Sequence, residues 1–147
     1  MIRGTSRRAV TRWTRQSEPG QGTRYIEVPE NWKVLVVEDQ LARQLQFRER
    51  FGSSAKIVAK VSDAIDALRN DTYDLVCLDR DLGFGEFGEA VAEAMVKMNF
   101  AGEVIIHSAN PTGAEMILHI LSGKVKAQIV PYTLLGIVRV PCESKSS

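Results

Sequence analysis

From Trp32 onward, short runs rich in apolar and β-branched residues alternate with stretches of helical periodicity, and this alternation limits the possible folds more than any other feature of the chain. A strand that is apolar on both faces must be covered on both, so the pattern predicts a parallel sheet with helices packed on either side. The first such run is Lys33-Val34-Leu35-Val36-Val37, which ends at Glu38-Asp39. Residues 40–51 read as a helix with Leu41, Leu45 and Phe47 on or near one stripe and Gly52 as its stop. Residues 56–61 form a less apolar second strand suited to a sheet edge, and Ser62 then caps a short helix carrying Ala64, Ile65, Ala67 and Leu68. The third strand, residues 73–78, terminates in Asp79-Arg80-Asp81. A loop with Gly83, Gly85 and Gly88 follows, then a helix over 89–98 with Val91, Ala94, Met95 and Met98 inward. Val104-Ile105-Ile106 is the fourth strand and runs out into His107-Ser108. Asn110-Pro111 starts a helix that stops at Gly123, and residues 127–132 supply the fifth strand. The run Leu134-Leu135-Gly136-Ile137-Val138 is too close to the end for a well-packed helix and is expected to extend the sheet or cover an edge. The expected fold class is therefore α/β, a doubly wound five-stranded parallel sheet over residues 25–141.

Charge separates this domain from what precedes it. The 147 residues sum to +1, which argues against a polyanion-binding machine, but residues 1–24 hold six arginines and one acid. That arm sums to +5, so the remainder sums to −4. Rich in Arg, Ser and Thr and without an apolar period, the arm reads as disordered. An unstructured tail, an organelle transit peptide and a weak electrostatic contact with nucleic acid are the alternatives for it. No apolar run approaches the roughly 18 to 20 residues of a membrane span, so no membrane association is expected. Cys77 and Cys142 have no metal-ligand spacing and are expected to be free thiols of a reducing, cytoplasmic compartment. Residues 142–147 read as a flexible tail.

In an open parallel sheet, ligands collect beyond the carboxyl ends of the strands. Those ends carry Glu38 and Asp39, Asp79 and Asp81, and His107 and Ser108. Carboxylates converging on one crevice repel one another unless a divalent cation sits among them, so Glu38, Asp39, Asp79 and Asp81 are candidate ligands for Mg²⁺, with Mn²⁺ as the alternative. Asp79 and Asp81, two apart, point the same way in an extended backbone while Arg80 points to the other side. Asn110 caps a helix whose free N–H groups near Thr112 and Gly113 are expected to bind an anion beside the metal, with Ser108 next to them. His107 leaves the fourth strand into the same place and is a candidate acid or base. His119, on the helix body, reads as structural.

The acidic pair, the strand-three Asp79 and the strand-four Ser108 together resemble the receiver domain of two-component response regulators over residues 32–132, which implies a flavodoxin-like fold. In that family the acidic pair binds Mg²⁺, the strand-three Asp accepts a phosphoryl group, the Ser or Thr contacts it, and a Lys after strand five holds the phosphate. This chain has Val130 before Pro131 where that Lys is expected, and Lys124 and Lys126 lie at the opposite end of the strand. The runs Leu78-Asp79-Arg80-Asp81-Leu82-Gly83 and His107-Ser108-Ala109-Asn110-Pro111-Thr112-Gly113 more closely resemble a receiver-like family described as cyclic-phosphate processing. Members of that family usually carry His where this chain has Arg80.

The resemblance implies metal-assisted hydrolysis of a cyclic phosphate, on a small molecule or at an RNA end. Glu38, Asp39, Asp79 and Asp81 would hold the cation, His107 would move a proton, and Ser108, Asn110, Thr112 and Gly113 would receive the phosphate. Two alternatives stand beside it. One is a phosphoacceptor that takes a phosphoryl group on Asp79, and the other is a non-catalytic module that senses a phosphate ligand.

Overall fold

The computed structural model describes residues 10–13 and 23–142. Eight strands and four α-helices follow in the order β1 (Val10–Trp13), β2 (Arg24–Pro29), β3 (Val34–Val37), α1 (Leu41–Phe51), β4 (Ala55–Val58), α2 (Val61–Asn70), β5 (Leu75–Leu78), α3 (Gly88–Lys97), β6 (Glu103–Ile106), α4 (Pro111–Leu121), β7 (Lys126–Ile129) and β8 (Leu135–Val140). Five of these strands make one parallel sheet in the order β4-β3-β5-β6-β7, so the doubly wound α/β fold stands and the second strand is indeed at an edge.

β3, β5 and β6 are buried along their whole length. Alternate residues serve opposite faces, as the pleat requires. Leu35, Val37, Val76, Leu78, Val104 and Ile106 pack against α2, α3 and α4. Val34, Val36, Leu75, Cys77 and Ile105 pack on the other side against Phe47 and Phe51 of α1. Burial pushes the Cys77 thiol up to about 12, which leaves it inert at neutral pH.

A second sheet, in the order β1-β2-β8, completes that face. β2 runs parallel to β8, from Arg24↔Leu135 to Pro29↔Val140. Ile26, Val28 and Leu135 from this sheet, with Trp32, join Phe47 and Phe51 in one apolar cluster. Arg139 ties the pieces together by donating to the carbonyl oxygens of Val28, Pro29 and Phe51. The run after Tyr132 therefore covers a face of the parallel sheet, where the sequence led us to expect an extension or an edge.

The arm also departs from expectation. Val10–Trp13, read as part of an unstructured segment, is β1, paired antiparallel with β2 from Val10↔Glu27 to Trp13↔Arg24, and Arg24 opens β2 itself. A ladder is made by main-chain groups, and β2 offers an edge that needs a partner, so composition gives little warning of this pairing. Residues 1–9, 14–22 and 143–147 lie outside the described residues.

Smaller corrections have local causes. Leu41 and Leu45 are exposed while Phe47 and Phe51 are buried, because at about 100° per residue Leu45 lies about 200° around α1 from Phe47. α2 starts at Val61 without a serine cap: the Glu86 side chain accepts the Val61 N–H instead. On α3 the inner face is Val91, Ala92 and Met95, with Ala94 and Met98 half-buried. No described helix is long and apolar enough to cross a membrane.

If the small sheet is part of the core, Ile26→Ala will cost about 2–5 kcal/mol, as expected for a fully buried isoleucine. Urea denaturation of Ile26→Ala beside Ile105→Ala measures this directly. A loss below about 0.5 kcal/mol at Ile26, the size of a surface change, would make the sheet a mere appendage.

Candidate functional site

The register of the parallel sheet brings the site together. Val37 pairs with Leu78, and Leu78 with Ile106, so the residues that follow, Glu38, Asp79 and His107, leave the sheet side by side. Their main-chain N–H groups continue the ladder by donating to Val58, Val37 and Leu78 respectively. All three side chains are buried, and one ligand atom from each lies within 4.8 Å of the other two.

Glu38 is the most constrained of the three. One oxygen lies 2.8 Å from His107 Nε2, and the other accepts the Gln40 N–H at 3.0 Å. Since an ionised carboxylate only accepts, His107 donates from Nε2, and its Nδ1 is buried without a partner among the described residues. The imidazole stands edge-on to Phe47 at 5.1 Å and to Tyr132 at 6.2 Å. His107 is thus behind the carboxylates and wholly out of water.

Asp79 accepts the Arg80 N–H at 2.8 Å and is 4% exposed. Burial raises its pKa above the usual aspartate value; the His107 charge works against that rise, and Glu38 adds to it. A cation beside it would relieve this penalty.

In front of Asp79 lies a cleft of ≈ 270 Å³ lined by Gln40, Arg43, Asp79, Asp81, Ser108, Ala109 and Asn110. That volume is at the small end for ligand sites and suits a phosphate-sized group. Ser108 is buried, and its Oγ accepts the Asn110 N–H at 3.0 Å, which leaves its own proton available. Asp81, half exposed, holds the rim through Arg80 Nη1 at 3.1 Å and Asn110 Nδ2 at 3.4 Å. Asp39 is exposed and, with Asp81, lies outside the buried ligand cluster.

The helix end offers fewer donors than its sequence suggested. Asn110 caps α4 as expected, but the cap takes the Gly113 N–H at 3.0 Å, and Pro111 has none. Gly113, expected to bind an anion, is therefore already engaged. It is also covered by Arg80, because a Cβ at this position would meet Arg80 Cδ at 2.6 Å. Thr112 is exposed and does not line the cleft, although its N–H is the one first-turn amide of α4 left open among the described residues.

Arg80 points away from the cleft, as the two-residue spacing of its neighbours requires. It is bonded to Glu89 through Nε and Nη2 and lies over Phe87 at 4.1 Å. His119 is exposed on α4. The sequence reading gave no role to Gln40, Arg43 or Tyr132. The missing strand-five Lys was the available signal: a phosphate site without it needs a cation from elsewhere, and Arg43 lies in the first turn of the helix that follows the acidic pair.

Comparison with known proteins bears on the fold. The family described as "Cyclic-phosphate processing Receiver domain" matches residues 33–123. Among solved structures, the chain is similar to the receiver domain of the Francisella response regulator 1452 (22% identity, 67% of this chain and 84% of that one, TM-score 0.54). It is also similar to the signal receiver domain of a putative Luxo repressor protein from Vibrio parahaemolyticus (21%, 68% and 78%, 0.55). A third is the phosphorylated cyanobacterial phytochrome response regulator RcpA (19%, 68% and 79%, 0.54). At these identities the likeness establishes the receiver fold. The comparison with curated proteins gives no match.

The Asp79 carboxyl sets a dependence of stability on pH. With its folded value raised, the linked stability is fully present below the ordinary aspartate pKa and is lost as pH rises through the raised one. In metal-free protein, Asp79→Asn will therefore raise the melting temperature by a few degrees at neutral pH, and the gain will vanish in acid. A gain that persisted unchanged at low pH would refute the burial argument.

Proposed function

This chain belongs to the cyclic-phosphate processing receiver domain family, and on that footing we propose that it hydrolyses a cyclic phosphate with the help of a divalent cation. The observation that carries this reading is the buried Glu38–Asp79–His107 cluster set behind a small polar cleft with Ser108 on its wall. A site that only sensed phosphate would have no need to bury two carboxylates and an imidazole together, at the cost of removing them from water.

The donor set fits a hard cation. Glu38 and Asp79 offer carboxylate oxygens, Asp79 is destabilised as an anion by burial, and each keeps lone pairs beyond the bonds it already accepts. Asp81 and Asp39 are near enough along the chain to contribute from the rim. Mg²⁺ is the expected ion, with Mn²⁺ as the alternative, and it would supply positive charge against the phosphoryl oxygens.

The chain's own residues do the rest. The Ser108 hydroxyl, its oxygen already occupied by the Asn110 N–H, is free to donate to a phosphoryl oxygen, and Asn110 lines the cleft with it. Water adds to phosphorus as the ring P–O bond breaks, and the proton that water loses must reach the departing oxygen. Glu38 can take up that proton while the His107 Nε2–H holds it in place, and Asp79, which lines the cleft, exchanges it with the substrate, so the Glu38–His107 pair acts as a proton store behind Asp79. The substrate is an RNA end or a cyclic mononucleotide. The five arginines of residues 1–15 would add a salt-dependent contact for the former.

A second reading, phosphoryl transfer to Asp79, is favoured by the receiver fold and by the Asp79 carboxylate lining the cleft.

Turnover of cyclic mononucleotides and of RNA with a 2′,3′-cyclic phosphate end, with Mg²⁺ or Mn²⁺ and with chelator, tests the proposal. His107→Gln, which keeps a donor towards Glu38, will lower turnover by about 10²- to 10⁴-fold while the fold is retained. No turnover of any of these by the native chain would sink the hydrolase reading. Incubation with acetyl phosphate and Mg²⁺ will leave the intact mass unchanged; a stoichiometric gain of one phosphoryl group would favour the second reading.

A further inference from the structure

The charge balance of the cleft leaves one question open, namely which cation meets the phosphate. β7 leads into Val130, which is fully buried beside His107 and carries no charge. Lys126, at the start of β7, lies 3.8 Å from Glu103. Arg80 is spent on Glu89 and Asp81 and does not line the cleft.

Arg43 does line it, together with Asp79, Ser108 and Asn110. Its guanidinium lies 4.4 Å above the centre of the Tyr132 ring, and its side chain is only 19% exposed. Among the described residues it donates no hydrogen bond. Its one ion-pair contact among the described residues is with Glu38 Oε1 at 3.9 Å, beyond hydrogen-bond range, and that oxygen is already engaged by His107. A guanidinium carries five donors in its plane, and a ring beneath it leaves that edge open. A largely buried arginine with an unused fork, held over an aromatic ring and lining an acidic cleft, is preorganised for a tetrahedral oxyanion.

We propose that Arg43, seated on Tyr132, is the phosphate-binding cation of this site and fills from α1 the role for which strand five offers only Val130. The proposal rests on the reading of the cleft as a phosphate site and holds for either hydrolysis or phosphoryl transfer. The competing account makes Arg43 a counter-ion for Glu38 alone.

Calorimetric titration of inorganic phosphate into the full chain at saturating Mg²⁺ separates the two. Arg43→Met and Arg43→Gln will each weaken phosphate binding by roughly 10- to 100-fold, the size of a lost charge-assisted pair, with the melting temperature without phosphate nearly unchanged. Arg43→Lys will recover part of the loss, since it restores a charge without the planar fork. Binding by either neutral variant at the wild-type level would overturn the proposal and leave the cleft's assignment standing. A wild-type chain that binds no phosphate at millimolar concentration would overturn both.

Discussion

Parallel pairing with no stagger between β3, β5 and β6 is the constraint on which the site depends. Because Val37, Leu78 and Ile106 are register partners, the next residue of each strand is placed beside the others, whatever its chemistry. Side-chain period fixes the rest: a slip of one residue would turn every core side chain to the wrong face, so the hydrophobic register of the sheet also specifies the polar cluster at its end. Glu38, Asp79 and His107 are buried together because the strands that carry them are buried together.

That burial has an electrostatic cost, which the surroundings partly offset. Glu38 is tied to His107, to the Gln40 N–H and, more loosely, to Arg43. Among the described residues Asp79 has only the Arg80 N–H and the more distant charges of His107 and Arg43, so its carboxyl remains the destabilised member. A domain that keeps such a group at the wall of a cleft holds local strain that a bound cation would release. The same surroundings divide the labour between two arginines. Arg80 braces the loop after β5 against α3 and α4, while Arg43 lines the cleft and, among the described residues, donates no hydrogen bond.

The three-stranded sheet is what makes this arrangement possible. It closes the α1 face of the parallel sheet with Ile26, Val28 and Leu135, and it follows directly from Tyr132, whose N–H donates to the His107 carbonyl and whose ring supports Arg43. The turn that carries Tyr132 therefore links the covering sheet to the floor of the site.

The parallel α/β fold and the residues at its strand ends could be read from the sequence because both rest on local signals. Apolar runs such as Val34-Leu35-Val36-Val37 have no stable place except a doubly covered strand, and Asn110-Pro111 announces a helix start through backbone chemistry alone. Tertiary structure decided what those signals leave free. The pairing of β8 with β2 joins segments more than 100 residues apart, and that of Val10–Trp13 with β2 ties the arm to the domain, both through main-chain bonds that no side-chain pattern encodes. The placing of His107 behind Glu38, the withdrawal of Gly113 into its own helix cap, and the seating of Arg43 on Tyr132 are likewise distances between elements. They were set when the sheet register and the packing of α1 were fixed, since a linear sequence states which groups exist and only the fold states which of them are left without a partner.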